Sequence, residues 1–209
     1  MTTNVLDAQL HEAAAADRLE DVQRLVVSGA NPYAEDAQGR TSFNRAASNG
    51  LRSLAWLTEQ AFEDTQKPED QRRWKKYGLN TPSGRYRSTL ITYAAKVCSV
   101  ELFCRMADAG ADLAIVNDSG WTLLHCAAVM PERAAMLAAV IEAFKDRGLK
   151  NLIGALSKHE YETSYGGNKV VYGEGLTAAG LCRVRIDQDP RRPRELASYL
   201  PILDRALAG

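Results

Sequence analysis

The sequence predicts an all-α fold, a helical solenoid in which helix pairs are joined by short β-hairpin fingers. Three observations predict it. First, Leu10-His11-Glu12-Ala13-Ala14 and Leu124-His125-Cys126-Ala127-Ala128 share one pattern, and Phe43-Asn44-Arg45-Ala46-Ala47 keeps its frame. Second, equivalent positions recur at fixed intervals. Leu10 to Phe43 is 33 residues, Ile91 to Leu124 is 33, and Phe43 to Ile91 is 48, which leaves 15 extra. Third, apolar residues at helical spacing follow each motif, and glycines such as Gly29 and Gly110 stand where a helix would end in a left-handed residue. A unit of this size cannot bury its apolar face alone, so neighbouring units must complete the core.

Taken in order, residues 5–35 form the first repeat, with Val22, Leu25 and Val26 on its second helix and Ser28-Gly29-Ala30-Asn31 at its end. The second, 36–61, opens at Asp36-Ala37-Gln38-Gly39-Arg40-Thr41 and continues through Leu51, Leu54 and Leu57. Residues 62–87 interrupt the pattern as a polar, basic insertion. Within it Pro68-Glu69-Asp70 can start a short helix over Gln71–Tyr77, and Asn80–Gly84 reads as a turn. The third repeat, 88–116, carries Leu102, Phe103 and Met106 before Ala109-Gly110-Ala111-Asp112. The fourth, 117–148, begins with a turn at Asp118 and Gly120, a capping Thr122, and a second helix from Pro131. A second insertion, 149–173, contains Thr163-Ser164-Tyr165 and Val170-Val171-Tyr172 around Gly166-Gly167-Asn168, a hairpin pattern. A degenerate capping repeat spans 174–209, ending in an amphipathic stretch from Pro190 to Leu207 that Pro201 should kink or divide.

The opening of the fourth repeat, Asp118-Ser119-Gly120-Trp121-Thr122-Leu123-Leu124-His125-Cys126-Ala127-Ala128, resembles the ankyrin signature D-x-x-G-x-T-P-L-H-x-A-A. Leu123 stands in the proline slot, and one residue is missing before the glycine. Over most of its length the chain is similar to the ankyrin-repeat family. The resemblance implies a single domain over 1–209, a stack of four to five repeats with two insertions. It also implies that His11 and His125 make structural hydrogen bonds between repeats. Proteins of this family generally bind other proteins through finger tips and the inner helices of a concave face.

Composition narrows the function. Lys+Arg and Asp+Glu both number 26, so no bulk attraction to nucleic acid or an anionic membrane is expected. The neutral total conceals opposed segments: residues 1–36 carry a net −5 and residues 66–87 a net +5. No secretory signal and no membrane-spanning run is read, and four cysteines without a Cys-x-x-Cys pair point to a reducing compartment. A cytoplasmic protein, monomeric when unbound, is therefore expected. No phosphate loop, zinc spacing or catalytic constellation occurs, so neither cofactor nor metal is expected. His159-Glu160 lacks the second histidine of a zinc-protease motif.

The expected activity is non-enzymatic: specific binding of a partner protein, with no nucleic-acid or membrane partner. Family analogy adds an immunity-type inhibitor as one role and a secreted effector capturing a host protein as another. An enzyme with a site built from the insertions is the alternative from a different class. Candidate contact residues are Tyr33 and Arg40 at one finger tip, Trp121 at another, Trp74, Lys75, Tyr77 and Tyr86 in the first insertion, and Tyr165 in the hairpin. Tryptophan, tyrosine and arginine are enriched where binding energy concentrates. Trp121 follows the turn glycine in a slot that repeat packing does not prescribe, so an exposed anchor ring is expected there. The competing reading folds it against the adjacent insertion, as Trp74 and Tyr77 would also fold onto their neighbours.

Overall fold

Glycines in the left-handed region end three helices in one way. At Gly29, Gly110 and Gly148, φ is +100°, +89° and +70°. The next amide donates back across the last turn: Ala30 to the Leu25 carbonyl (3.0 Å), Ala111 to Met106 (3.0 Å) and Leu149 to Phe144 (2.7 Å). This closure satisfies carbonyls that a helix end leaves unpaired.

The computed structural model describes residues 4–130, 132–157, 161–165, 168–188 and 196–208, without the side chains of Ser48 and residues 161–170. Among these the chain is mostly helical, with one two-stranded sheet, and it divides into two units, Met1–Cys98 and Ser99–Gly209.

The first unit holds α1 (Val5–Ala15), α2 (Leu19–Val27), α3 (Ser42–Asn49), α4 (Leu51–Thr65) and α5 (Leu90–Val97). Helix α1 packs on α2 and α3, and α4 packs on α3 and α5. Leu10, Val22, Phe43, Leu54, Leu57 and Ile91 are fully buried between them. Gly50 joins α3 to α4 at a close approach to α1. A Cβ there would lie 1.9 Å from the Ala14 carbonyl oxygen, so only glycine lets these backbones meet.

The second unit holds α6 (Val100–Asp108), α7 (Leu123–Ala128), α8 (Ala134–Asp146), the hairpin β1 (Tyr161–Tyr165) and β2 (Asn168–Tyr172), then α9 (Ala178–Gln188) and α10 (Leu200–Ala208). Helix α7 packs on α8 and α9, and α10 packs on α8 and α9. The hairpin is antiparallel, pairing Tyr161 with Tyr172 and Tyr165 with Asn168. Ser157 closes its base: its amide donates to the Leu176 carbonyl and its carbonyl accepts from Gly175, each at 2.9 Å.

Several boundaries differ from the sequence expectation. Helix α4 runs through Thr65, into residues assigned to the insertion, because Phe62, Asp64 and Thr65 are buried. The expected helix over Gln71–Tyr77 is instead a three-residue 3-10 helix, Glu69–Gln71, followed by turns. The Asp64 carboxylate accepts the amides of Arg73 (3.0 Å) and Trp74 (2.9 Å), which a helix would have directed elsewhere. Helix α8 starts at Ala134 rather than at Pro131, which lies outside the described residues, and Glu132 takes a left-handed φ of 56°. The hairpin strands are longer than expected, and Asn168 belongs to β2 rather than the turn; Gly166 and Gly167 lie outside the description. A turn at Ser198–Tyr199 precedes α10, so Pro201 sits in the first turn of a helix, where its missing amide costs little. Pro190 and Pro193 fall outside the described residues.

Candidate functional site

Two turns are built alike. The Asp36 carboxylate accepts the amides of Gln38 (2.8 Å) and Arg40 (2.9 Å), and the Gly39 amide returns to the Asp36 carbonyl (2.9 Å). Asn117 accepts the amides of Ser119 and Trp121, both at 3.0 Å, and the Gly120 amide returns to its carbonyl (2.8 Å). Gly39 and Gly120 have φ of +70° and +76°. The turn-forming residue is therefore Asn117, not Asp118, and the residue that seemed missing before Gly120 is restored. Thr41 and Thr122 then cap α3 and α7 in extended conformation, with reciprocal bonds to Asn44 and His125.

His125 is fully buried. Its Nδ1 accepts the Thr122 amide (3.2 Å), so its Nε2–H donates to the Leu176 carbonyl (3.0 Å). Burial holds its pKa down to about 4, against the opposing pull of that carbonyl. His11 Nε2 likewise lies 2.9 Å from the Ala34 carbonyl. Each histidine ties a helix to the turn that leads into a later one.

Most aromatic candidates are internal. Trp121 is only 5 % exposed. Its ring meets the Tyr172 ring edge-on at 5.7 Å between centroids and lies 6.4 Å from His125. The expected exposed anchor is thus not found, because the enlarged hairpin supplies a fully buried Tyr172 that covers the ring. Tyr33, also expected to be exposed, is 3 % exposed, and Trp74 is 8 % exposed. Tyr33 stacks on Tyr77 at 3.9 Å, meets Trp74 edge-on at 5.9 Å and tilts against Phe43 at 5.0 Å. Burial raises the pKa of both tyrosines, with the Glu35 charge adding to the effect at Tyr77. The first insertion therefore folds onto its own unit through these rings.

The polar candidates divide. Arg40 is half-buried and bonds Asp36 at 3.1 Å, while Arg45 reaches the same carboxylate at 2.7 Å. Burial opposes the Asp36 charge, yet the amides of Arg40 and Gln38 and the two guanidiniums outweigh it, holding the pKa at about 2. Lys75 is exposed, and half-buried Tyr86 lies beneath Arg85, whose guanidinium is 5.8 Å from the ring centroid. Tyr165 ends β1, and its side chain lies outside the description, as do His159 and Glu160.

Two structural residues escaped the sequence reading. Asp64 pins the insertion to α4: burial raises its pKa, but the Arg73 and Trp74 amides and Lys67 lower it overall. Asn44 donates to the Tyr93 hydroxyl (2.9 Å), and a Cβ on Gly84 would meet its Oδ1 at 1.9 Å, so the Asn80–Gly84 turn rests on α3. Asp64, within the segment read as an insertion, had no signal, whereas Asn44 stood in the histidine slot of the motif with nothing to mark Tyr93 as its partner. The buried Cys182 thiol is pushed up to about 12, and no group of metal-ligating side chains occurs among the described residues. No described helix is long and apolar enough to cross a membrane. No protein-family model matches the chain, and no curated protein matches it in sequence.

Proposed function

We propose that this protein is a non-enzymatic, ankyrin-type module that binds a specific partner protein. The observation that carries the reading is the recurrence of one hydrogen-bonded unit. Asp36, Gly39, Thr41 and Asn44 have counterparts in Asn117, Gly120, Thr122 and His125, each 81 residues on and in the same roles. The interval equals two periods of 33 plus the 15 extra residues of the first insertion. Repeated units of this kind offer turn tips and helix faces for contact while their conserved-geometry positions maintain the scaffold.

Trp121, Tyr33 and Trp74 are buried, which supports a scaffold role for these rings and leaves contact to exposed residues such as Lys75 in this reading. The test is affinity capture from native cells with tagged protein, followed by reconstitution with the purified partner. A stoichiometric protein complex supports the reading. Turnover of a small molecule, without any protein partner, contradicts it.

A further inference from the structure

We propose that the outward side of residues 72–87 is a docking surface for a carboxylate-rich segment of the partner protein, resting on the protein-binding reading above. Within the first unit, Arg18, Arg24, Arg40, Arg45, Arg52 and Lys67 each contact a carboxylate. Buried Lys96 donates to the Ala47 carbonyl at 2.7 Å. Among the described residues, none of Arg72, Arg73, Lys75, Lys76, Arg85 and Arg87 is in a salt bridge. Arg72 and Arg73 reach only the main-chain carbonyls of Lys67 and Val26. The unit's uncompensated positive charge is thus concentrated in one segment.

That segment is held in place. Asp64 binds its first turn, Tyr77 stacks on Tyr33, and Ser83 pairs with Ser88 at 2.9 Å between the Ser83 amide and the Ser88 carbonyl. Cations displayed on an ordered loop need less ordering when they meet a ligand. Arginine forks match carboxylates in two-point contacts.

The other polyanions fit less well. Single-stranded nucleic acid needs open aromatic faces for stacking. Here Trp74 and Tyr33 are buried, Tyr77 is stacked, and Tyr86 lies under Arg85. A membrane surface calls for apolar side chains to insert. The exposed large hydrophobic residues, such as Val5, Val27 and Leu156, lie outside this segment. A second copy would offer the acidic stretch 1–36, yet Asp7, Asp17, Asp21 and Asp36 are already engaged within the chain, which leaves Glu12, Glu20 and Glu35 as its exposed carboxylates.

The experiment measures fluorescence anisotropy of a labelled glutamate-rich peptide against the full chain. Lys75→Glu/Lys76→Glu and Arg85→Glu/Arg87→Glu are compared with Lys145→Glu/Lys150→Glu, a pair of equal charge change on exposed residues of the second unit. Salt-sensitive binding that weakens at least tenfold in each of the first two pairs, but not the third, at unchanged melting temperature, is the expected result. Absent binding, equal loss in all three pairs, tighter binding of a single-stranded oligonucleotide or of phosphatidylserine vesicles, or concentration-dependent self-association relieved by the first two pairs would each overturn it. A partner captured from cells that binds these variants normally removes the docking surface and leaves the protein-binding reading standing.

Discussion

Trp121 and Lys75 carry opposite expectations. Trp121 is enclosed by Tyr172 and His125, so Trp121→Ala should destabilise the protein by about 3–5 kcal/mol in urea titration. Lys75 is exposed, so its replacement should leave the midpoint unchanged. Arg87, whose amide closes a turn onto the Gly84 carbonyl at 2.9 Å, holds a left-handed φ of 50°, whereas the Asp36 and Asn117 turns use Gly39 and Gly120 at φ of +70° and +76°. Arg87→Gly should therefore stabilise by about 1 kcal/mol, read as a raised urea midpoint. His125 gives a pH signature. Its folded pKa, about 4, lies below the ordinary 6.5, so the unfolded chain binds the proton first as pH falls. Stability should drop between about pH 6.5 and 4. A second drop should follow between 3.8 and about 2, as Asp36 loses a charge whose folded pKa is depressed. Denaturation midpoints measured across pH check both, and Asp36→Asn should shrink the lower step, to which Asp64, whose carboxyl is also held down, still contributes.

At the scale of elements, the first insertion depends on its anchor. Asp64→Ala leaves the Arg73 and Trp74 amides without their carboxylate, which should cost about 1–3 kcal/mol. Hydrogen exchange should then quicken at those two amides before it does in α1 or α3. Unchanged exchange there contradicts the anchoring role. Helices α1 to α4 were legible because apolar spacing and turn glycines are local signals, as Leu10, Phe43, Gly29 and Gly39 illustrate. Helix ends were less legible where a distant group decided them. The extension of α4 to Thr65 goes with the burial of Phe62, Asp64 and Thr65, and the loss of a helix after Gln71 depends on Asp64 taking two amides. The rings of Trp121 and Tyr33 were misplaced for the same reason. Trp121 stands beside a turn in sequence, but its partner Tyr172 is supplied by the hairpin 51 residues later.

At the scale of the whole molecule, Tyr33, Trp74, Trp121 and Tyr172 are used for internal packing, whereas uncompensated cations of the first unit remain at the surface of one loop. Near-neutral net charge hides this segregation, which composition alone could not reveal. In the proposed function the repeated turns, capping boxes and histidine bridges serve stability, and recognition falls to the exposed side chains of 72–87. The most direct test is calorimetric titration of the purified partner into wild type and Lys75→Glu/Lys76→Glu, with melting temperatures measured in parallel. Binding at least tenfold weaker in the variant at an unchanged melting temperature is the predicted result. Equal affinity for both proteins would contradict it.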